Sequence, residues 1–287
     1  MLAQVIFNGF VTGTIIALPA VALTLTYAIL KFPNFAIGAM LTMGAYAALM
    51  FNASLGLPLI WSVLLASGFL ALVAVAIDQT VYAQLRDRTS ITLLVASMGV
   101  SFVLENIARF IFGNSARSFE VPIARPSVAF GLRINNEQLV AMATSIVAMI
   151  AVFLILRFTP LGRAMRAVSE NPSLAAVRGI SRERIICWTW AIAGVLIAVA
   201  GALAGLDRAI DPLIGWNYVV TIFAAVILGG LGNPVGAVIG AVILGVVEET
   251  STLVLAPNYR QIVSFLAIAL LLLLRPQGLL GTLKVKK

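Results

Sequence analysis

Of 287 residues, 61% are hydrophobic and 10% charged, against about 25% charged in ordinary soluble domains, which excludes a soluble globular chain. The net charge of +8 is spread between apolar runs and over the C-terminal tail (Arg275, Lys284, Lys286, Lys287), a pattern of membrane orientation that excludes a nucleic-acid surface. The lack of histidine and the single cysteine, Cys187, exclude an internal disulfide and any zinc, haem or iron–sulfur centre built on those side chains.

A helix needs about 20 apolar residues to cross a bilayer. Runs of that kind lie at about 5–30, 35–51, 58–83, 91–112, 138–157, 186–206, 217–231, 235–255 and 260–275. The first has no basic n-region and no small-residue cleavage site, so it reads as a retained span and not a signal peptide. The second and seventh are short and glycine-rich and read as half-helices or re-entrant segments. The fold class is therefore all-α: a polytopic helical bundle of eight or nine membrane segments, two of them glycine-broken, forming one membrane-spanning domain over 1–287.

Within these runs a few residues stand out. Gly9 and Gly13, Gly201 and Gly205, and Gly236 and Gly240 are spaced i, i+4, the spacing that lets membrane helices approach closely. Asp78 falls toward the inner end of its run, where solvation is easy. Glu105 and Arg109 share a helix face and can pair. Glu248 and Glu249 point about 100° apart, so at most one faces the interior. Asp207, Arg208 and Asp211 read as an external, solvated cluster. Trp61, Trp188, Trp216 and Tyr259 lie near predicted helix ends, where amphipathic rings anchor at the interface. The stretch Gly229-Gly230-Leu231-Gly232-Asn233-Pro234 cannot continue a helix. It reads either as a bend lining a pathway or as a hairpin turn at the membrane surface.

Sidedness follows the positive charges. Lys31, Arg86-Asp87-Arg88, the loop 157–185 and the C-terminus fall in the cytoplasm, and the N-terminus falls outside. The loop 113–137, with Arg117, Glu120, Pro122, Arg125, Pro126, Arg133 and Glu137, falls outside as a structured external loop. The basic loop holds six arginines (Arg157, Arg163, Arg166, Arg178, Arg182, Arg184) against Glu170 and Glu183. Pro160, Gly162 and Pro172 punctuate it. Gly162–Val168 and Leu174–Arg178 each read as a short surface helix, separated by Asn171-Pro172, with alanine faces suited to docking on another protein. An anionic-lipid contact is the plainer reading of its charge. The chain contains no phosphate-binding loop, no nucleophile elbow and no His-based acid–base pair, so it does not read as an enzyme, and any use of ATP falls to another polypeptide.

These residues carry a resemblance. Arg166-Ala167-Val168-Ser169-Glu170-Asn171-Pro172, followed by Ala175-Ala176 and Arg178-Gly179-Ile180, resembles the cytoplasmic signature of permeases of branched-chain amino acid ABC importers, the LivH type. Asn34-Phe35-Ala36 with Gly38 and Gly44-Ala45-Tyr46 resembles the second segment of that family. Ala200–Gly205 and Ile227–Gly232 resemble its second half, so the likeness covers nearly the whole chain. It implies a permease of the bacterial inner membrane that pairs with a second, related permease subunit, a heterodimer. It implies two cytoplasmic ATPase subunits, which use the ATP; no cofactor is held by the chain itself. It also implies a periplasmic substrate-binding protein. The coupling loop, about 158–185, would present Arg163, Arg166, Glu170, Asn171, Ala175, Arg178 and Gly179 to the ATPase. Asn34, Tyr46, Gly229, Gly230 and Asn233 are the candidate path residues beside the two glycine-rich breaks. Related permeases for urea or short-chain amides, and an ion-coupled secondary transporter using Glu105 or Glu248, are the alternatives.

Overall fold

In hydrocarbon, every backbone N–H and C=O must find its partner within the protein, so this sequence can cross only as helices. The computed structural model describes residues 2–119, 127–129, 132–256, 259–275 and 277–280. Glu120, Pro122, Arg125, Pro126, Lys284, Lys286 and Lys287 lie outside them. The helices are α1 Leu2–Leu30, α2 Ala36–Leu55, α3 Leu59–Ile77, α4 Ala83–Leu85, α5 Ser90–Phe112, α6 Asn136–Phe158, α7 Pro160–Glu170, α8 Pro172–Val177, α9 Arg182–Asp207, α10 Ile214–Gly229, α11 Pro234–Ser251 and α12 Arg260–Leu274. A two-stranded antiparallel hairpin, β1 Ser127–Ala129 and β2 Leu132–Ile134, precedes α6. It lies within the loop expected to be structured. Arg117 also pairs through its backbone with Ile210, joining that loop to the end of α9.

Among the described residues, seven helices are long and apolar enough to cross a membrane. The expected eight or nine segments are all helical, but two fall short. α10 has 16 residues and α12 has 15, about 24 and 22 Å at 1.5 Å per residue, against a hydrocarbon core of about 30 Å. The expected break in the second segment is absent: α2 is one continuous helix of 20 residues. Its glycines are contact points instead. A side chain on Gly44 would meet the Ala198 backbone of α9, and one on Gly38 would run into Gly215 of α10. The real break is Gly229–Asn233, which turns α10 into α11, with Gly230 and Gly232 at φ 105° and 90°.

The centre of the bundle is α1, α2 and α9, which are largely buried, whereas α3, α5 and α6 turn most of their surface outward. α1 packs along α11, α9 and α10, and α9 packs along α3, α2 and α1. Each paired glycine of the sequence sits where a neighbour comes close. A Cβ on Gly9 would stand 2.7 Å from Val246 Cα, and one on Gly13 would stand 2.8 Å from Val242 Cα. Trp61, Trp188, Trp216 and Tyr259 are all exposed, as interfacial anchors require.

Where α3 reaches its C-terminal end, the ladder widens into a π-helical turn at Asp78–Tyr82. Asp78, expected to be solvated, is buried. The turn lets it meet Arg86, which reaches back to pair with it and forward to Glu183 in the first turn of α9. Trp190 stacks on Tyr82 beside this pair, with centroids 5.2 Å apart, and the Tyr82 hydroxyl donates to Asn34 Oδ1. A carboxylate stays ionised at such depth only with a partner. Arg86 thus ties α3 to the entry of α9.

Two expectations follow for stability, both measurable as shifts in unfolding of the purified chain in detergent. Arg86→Ala leaves Asp78 uncompensated and is expected to cost about 3–5 kcal/mol, while Asp78→Asn combined with Arg86→Gln recovers most of that loss. Gly215→Ala forces α10 off the α2 backbone and is expected to cost about 1–3 kcal/mol. Gly68→Ala, with open space beside it, is neutral or stabilising by up to about 1 kcal/mol.

Candidate coupling site and membrane segments

The basic loop is a folded unit. The Thr159 hydroxyl caps α7 by accepting from Gly162 N at 3.2 Å, and Pro160 occupies the first helical turn, where its missing N–H leaves no bond unmade. α7 then folds back against α6. Gly162 allows this, because any side chain there would collide with the Leu156 backbone. The Arg166 guanidinium donates to the Leu156 carbonyl, and Met165 and Val168 are buried beneath the helix. Asn171 ends α7 with extended backbone and caps α8, accepting from Leu174 N at 3.0 Å. α8 closes with Ile180 N–H on Ala175 O and Gly179 N–H on Ala176 O, with Gly179 at φ +79°. That is the two-bond Schellman stop, which requires a left-handed residue. The Ser181 side chain then caps α9. Four caps and stops at three consecutive junctions are therefore fixed by side-chain or backbone hydrogen bonds.

This layout decides what the loop displays. Arg163, Arg166, Glu170, Asn171 and Arg178 are exposed. Ala175 is not: it faces the bundle at 4% exposure. The expected alanine docking faces therefore turn partly inward, and α8 offers Leu174 and Val177 instead, 60% and 84% exposed. Sequence reasoning passed over these two residues, although their i, i+3 spacing beside Arg178 marks an apolar stripe with a basic edge. Glu170 ends α7, where the helix dipole disfavours an anion.

Behind α7 lies a cavity of about 400 Å³, lined by Leu25, Ile29, Phe153, Leu156, Arg157 and Gly232 among others. It places the Gly229–Pro234 turn on the same side of the bundle as the loop. There Gly229 packs against Gly236, and Asn233 caps α11 by accepting from Val235 N and Gly236 N. The segment before the C-terminal tail closes over the turn: Leu279 N–H and Leu280 N–H donate to Leu228 O and Gly229 O, and Asn233 Nδ2 donates to Leu280 O at 3.2 Å. The local geometry is that of a hairpin turn.

The other candidate path residues lie apart from it and from each other. Asn34 is buried on the loop side, its Oδ1 accepting from Ala36 N and from Tyr82. Tyr46 is buried toward the opposite end, stacked on Phe112 at 4.5 Å. The intramembrane acids are also accounted for. Glu105 pairs with Arg109 at 2.5 Å. Glu248 is buried and accepts from the hydroxyls of Thr221 (2.7 Å) and Ser264, which joins α10, α11 and α12. Glu249 points away and pairs with Arg260 at 2.9 Å, so one acid of the two faces inward, as the helical spacing demands.

Comparison with known proteins agrees with this architecture along the full length. The family described as "Branched-chain amino acid transport system / permease component" matches residues 5–273. The high-affinity branched-chain amino acid transport system permease protein LivH of Salmonella typhimurium is 34% identical, covering 99% of this chain and 97% of its own. The permease protein BraD of Pseudomonas aeruginosa is 30% identical over the same shares. PsaBC from Streptococcus pneumoniae, solved in complex with Fab, shares the fold at a TM-score of 0.53 and 12% identity, covering 94% of this chain and 91% of that one. The chain belongs to the family of branched-chain amino acid transport system permease components.

Proposed function

We propose that the chain is the membrane-spanning subunit of an ATP-driven importer that carries branched-chain amino acids across the bacterial inner membrane. The observation that carries this reading is the end-to-end relation to LivH and BraD, which reaches 97% of their own length. The folded unit α7–α8 supports it, because a mere connector needs neither four caps nor an exposed apolar stripe. In this reading the ATP is bound and split by two separate subunits docked on α7 and α8. A second, related permease completes the pore, and a periplasmic binding protein delivers the substrate. The loop, Lys31 and Arg86 lie in the cytoplasm with the C-terminus, and the N-terminus lies in the periplasm, as the positive charges favour.

The ion pair of Glu105 with Arg109 neutralises that acid and favours the ATP-driven reading over ion coupling through it. Coupling itself rests on Leu174, Val177, Glu170 and Arg178. A docked subunit shifts the equilibrium between outward- and inward-facing forms only by the difference in its contacts with the two.

Reconstitution of the chain with its partner permease, ATPase subunits and binding protein in proteoliposomes tests the function. Leucine uptake is expected to require ATP. Uptake by this chain alone on an ion gradient sinks the reading. In the same system, Arg178→Ala, Glu170→Ala or the pair Leu174→Ser and Val177→Ser is expected to lower uptake and substrate-stimulated ATP hydrolysis about tenfold, the scale of losing one interface hot spot. Membrane insertion is expected to stay normal. Unchanged uptake in all of them removes the loop from the mechanism.

A further inference from the structure

At the end of the bundle opposite α7 and α8, the ends of α9 and α11 and the starts of α1, α6 and α12 line an open cavity of about 360 Å³. This is the size class of small-molecule sites. Its lining is polar in a chain that is 10% charged. Asp207, Arg208, Glu249 and Arg260 all face it, with Gln138 and Asn8 beside them. Two cations and two carboxylates leave no net charge, so the lining favours neither a simple anion nor a simple cation.

Charges gathered only to hold helices together would close on one another, and here one pair does while the other stays loose: Arg260 meets Glu249 at 2.9 Å, but Arg208 and Asp207 do not close. Arg208 Nε stands 3.6 Å from Asp207 Oδ2, beyond a good hydrogen bond. Its guanidinium lies 5.9 Å over the Tyr218 ring, and Tyr218, Asp207 and Glu249 are all within electrostatic reach of it. Arg260 holds Glu249 through Nη2, yet its Nε is buried without a hydrogen-bond partner, as is the Tyr218 hydroxyl. With Arg208 only loosely held and a donor of Arg260 unmet, the charged lining of the cavity is incompletely paired within the protein.

We propose that this cavity receives the free amino acid as a zwitterion, with the ammonium group on Asp207 and Glu249 and the carboxylate on Arg208 and Arg260. The ending carbonyls of α9, at Asp207, add negative potential where the ammonium sits. The site rests on the amino-acid importer reading and deepens it, adding a recognition step on the permease itself. Recognition is of the zwitterionic head; Asn8 and Gln138 contribute uncharged hydrogen-bonding groups at the rim.

Equilibrium binding of radiolabelled L-leucine to the full chain in lipid nanodiscs tests this directly. Saturable binding is expected. Displacement by 3-methylbutylamine, which lacks the carboxylate, and by 4-methylpentanoate, which lacks the ammonium, is expected to need at least about tenfold more ligand each, the scale of a lost charge-assisted hydrogen bond. This comparison uses the unaltered chain and so does not depend on any variant folding. Arg208→Gln and Glu249→Gln are each expected to weaken leucine binding about tenfold or more, and Asp211→Asn, which lies outside the cavity, is expected to leave it unchanged. No saturable binding, or equal displacement by all three compounds, overturns the site. If the assembled importer takes up leucine equally well with Arg208→Gln and Glu249→Gln, the site falls and the transport reading stands. If the wild-type assembly binds leucine but never imports it with ATP, the transport reading falls.

Discussion

The close approach of helix backbones governs this structure. Lipid tails are as apolar as leucine, so burial gives these helices no hydrophobic reason to associate, and contact must come from dispersion and polar bonds at short range. The sequence meets that need with small residues at the crossings. Gly9 and Gly13 of α1 lie on Gly245 and Ala241 of α11; Gly38 of α2 lies on Gly215 of α10; Gly194 of α9 lies on Leu70 and Ala71 of α3. Each crossing brings main chains together and gains many small contacts at once. The crossings also decide the architecture. α1, α2 and α9 lie at the centre because their small residues point in several directions, whereas α3, α5 and α6 are apolar mostly outward and remain around the edge.

In a bundle held by such crossings, the buried acids come with partners from neighbouring elements. Asp78 depends on Arg86, and Glu248 depends on Thr221 and Ser264. The π-helical turn at Asp78–Tyr82 shows the cost of the first arrangement, since the regular ladder of α3 gives way just where the acid must turn toward its partner. By tying Arg86 to Glu183 as well, the same cluster fixes where α9 begins, and therefore where α8 hands over to it.

Much of this was readable from residue order, for reasons that differ by feature. Segment positions follow from apolar length, which the bilayer makes nearly deterministic. The junctions of α7 and α8 follow from Thr159-Pro160, Asn171-Pro172 and Gly179, because capping chemistry is local. The glycines of α2 were misleading, since a glycine that breaks a helix and one that admits a neighbour look alike until the neighbour is known; Gly38 needs Gly215, 177 positions later. The inward turn of Ala175 and the burial of Asp78 were hidden for the same reason. The cavity at the far end was hidden most deeply, because Asn8, Gln138, Arg208 and Arg260 come from four separate helices or helix ends and share no motif.

One helix joins the two ends of the molecule that matter here. α9 begins at the Ser181 cap, two residues after the Gly179 stop of α8, and ends at Asp207 in the cavity wall. Its 26 residues span about 39 Å. It is packed on α2 and α3 through Gly44, Gly201 and Gly194, and it also lies along α1. A partner that pulled differently on Leu174 and Val177 in two states would act on a short helix that Gly179-Ile180-Ser181 joins to α9 and that also packs on it. In the proposed importer, a rigid-body shift at that end would reappear at Asp207 and alter the spacing between its carboxylate, the Glu249 carboxylate and the guanidinium groups of Arg208 and Arg260. Linkage would then work in both directions: a ligand that drew those four groups together would favour one position of α9, and thereby one presentation of α8.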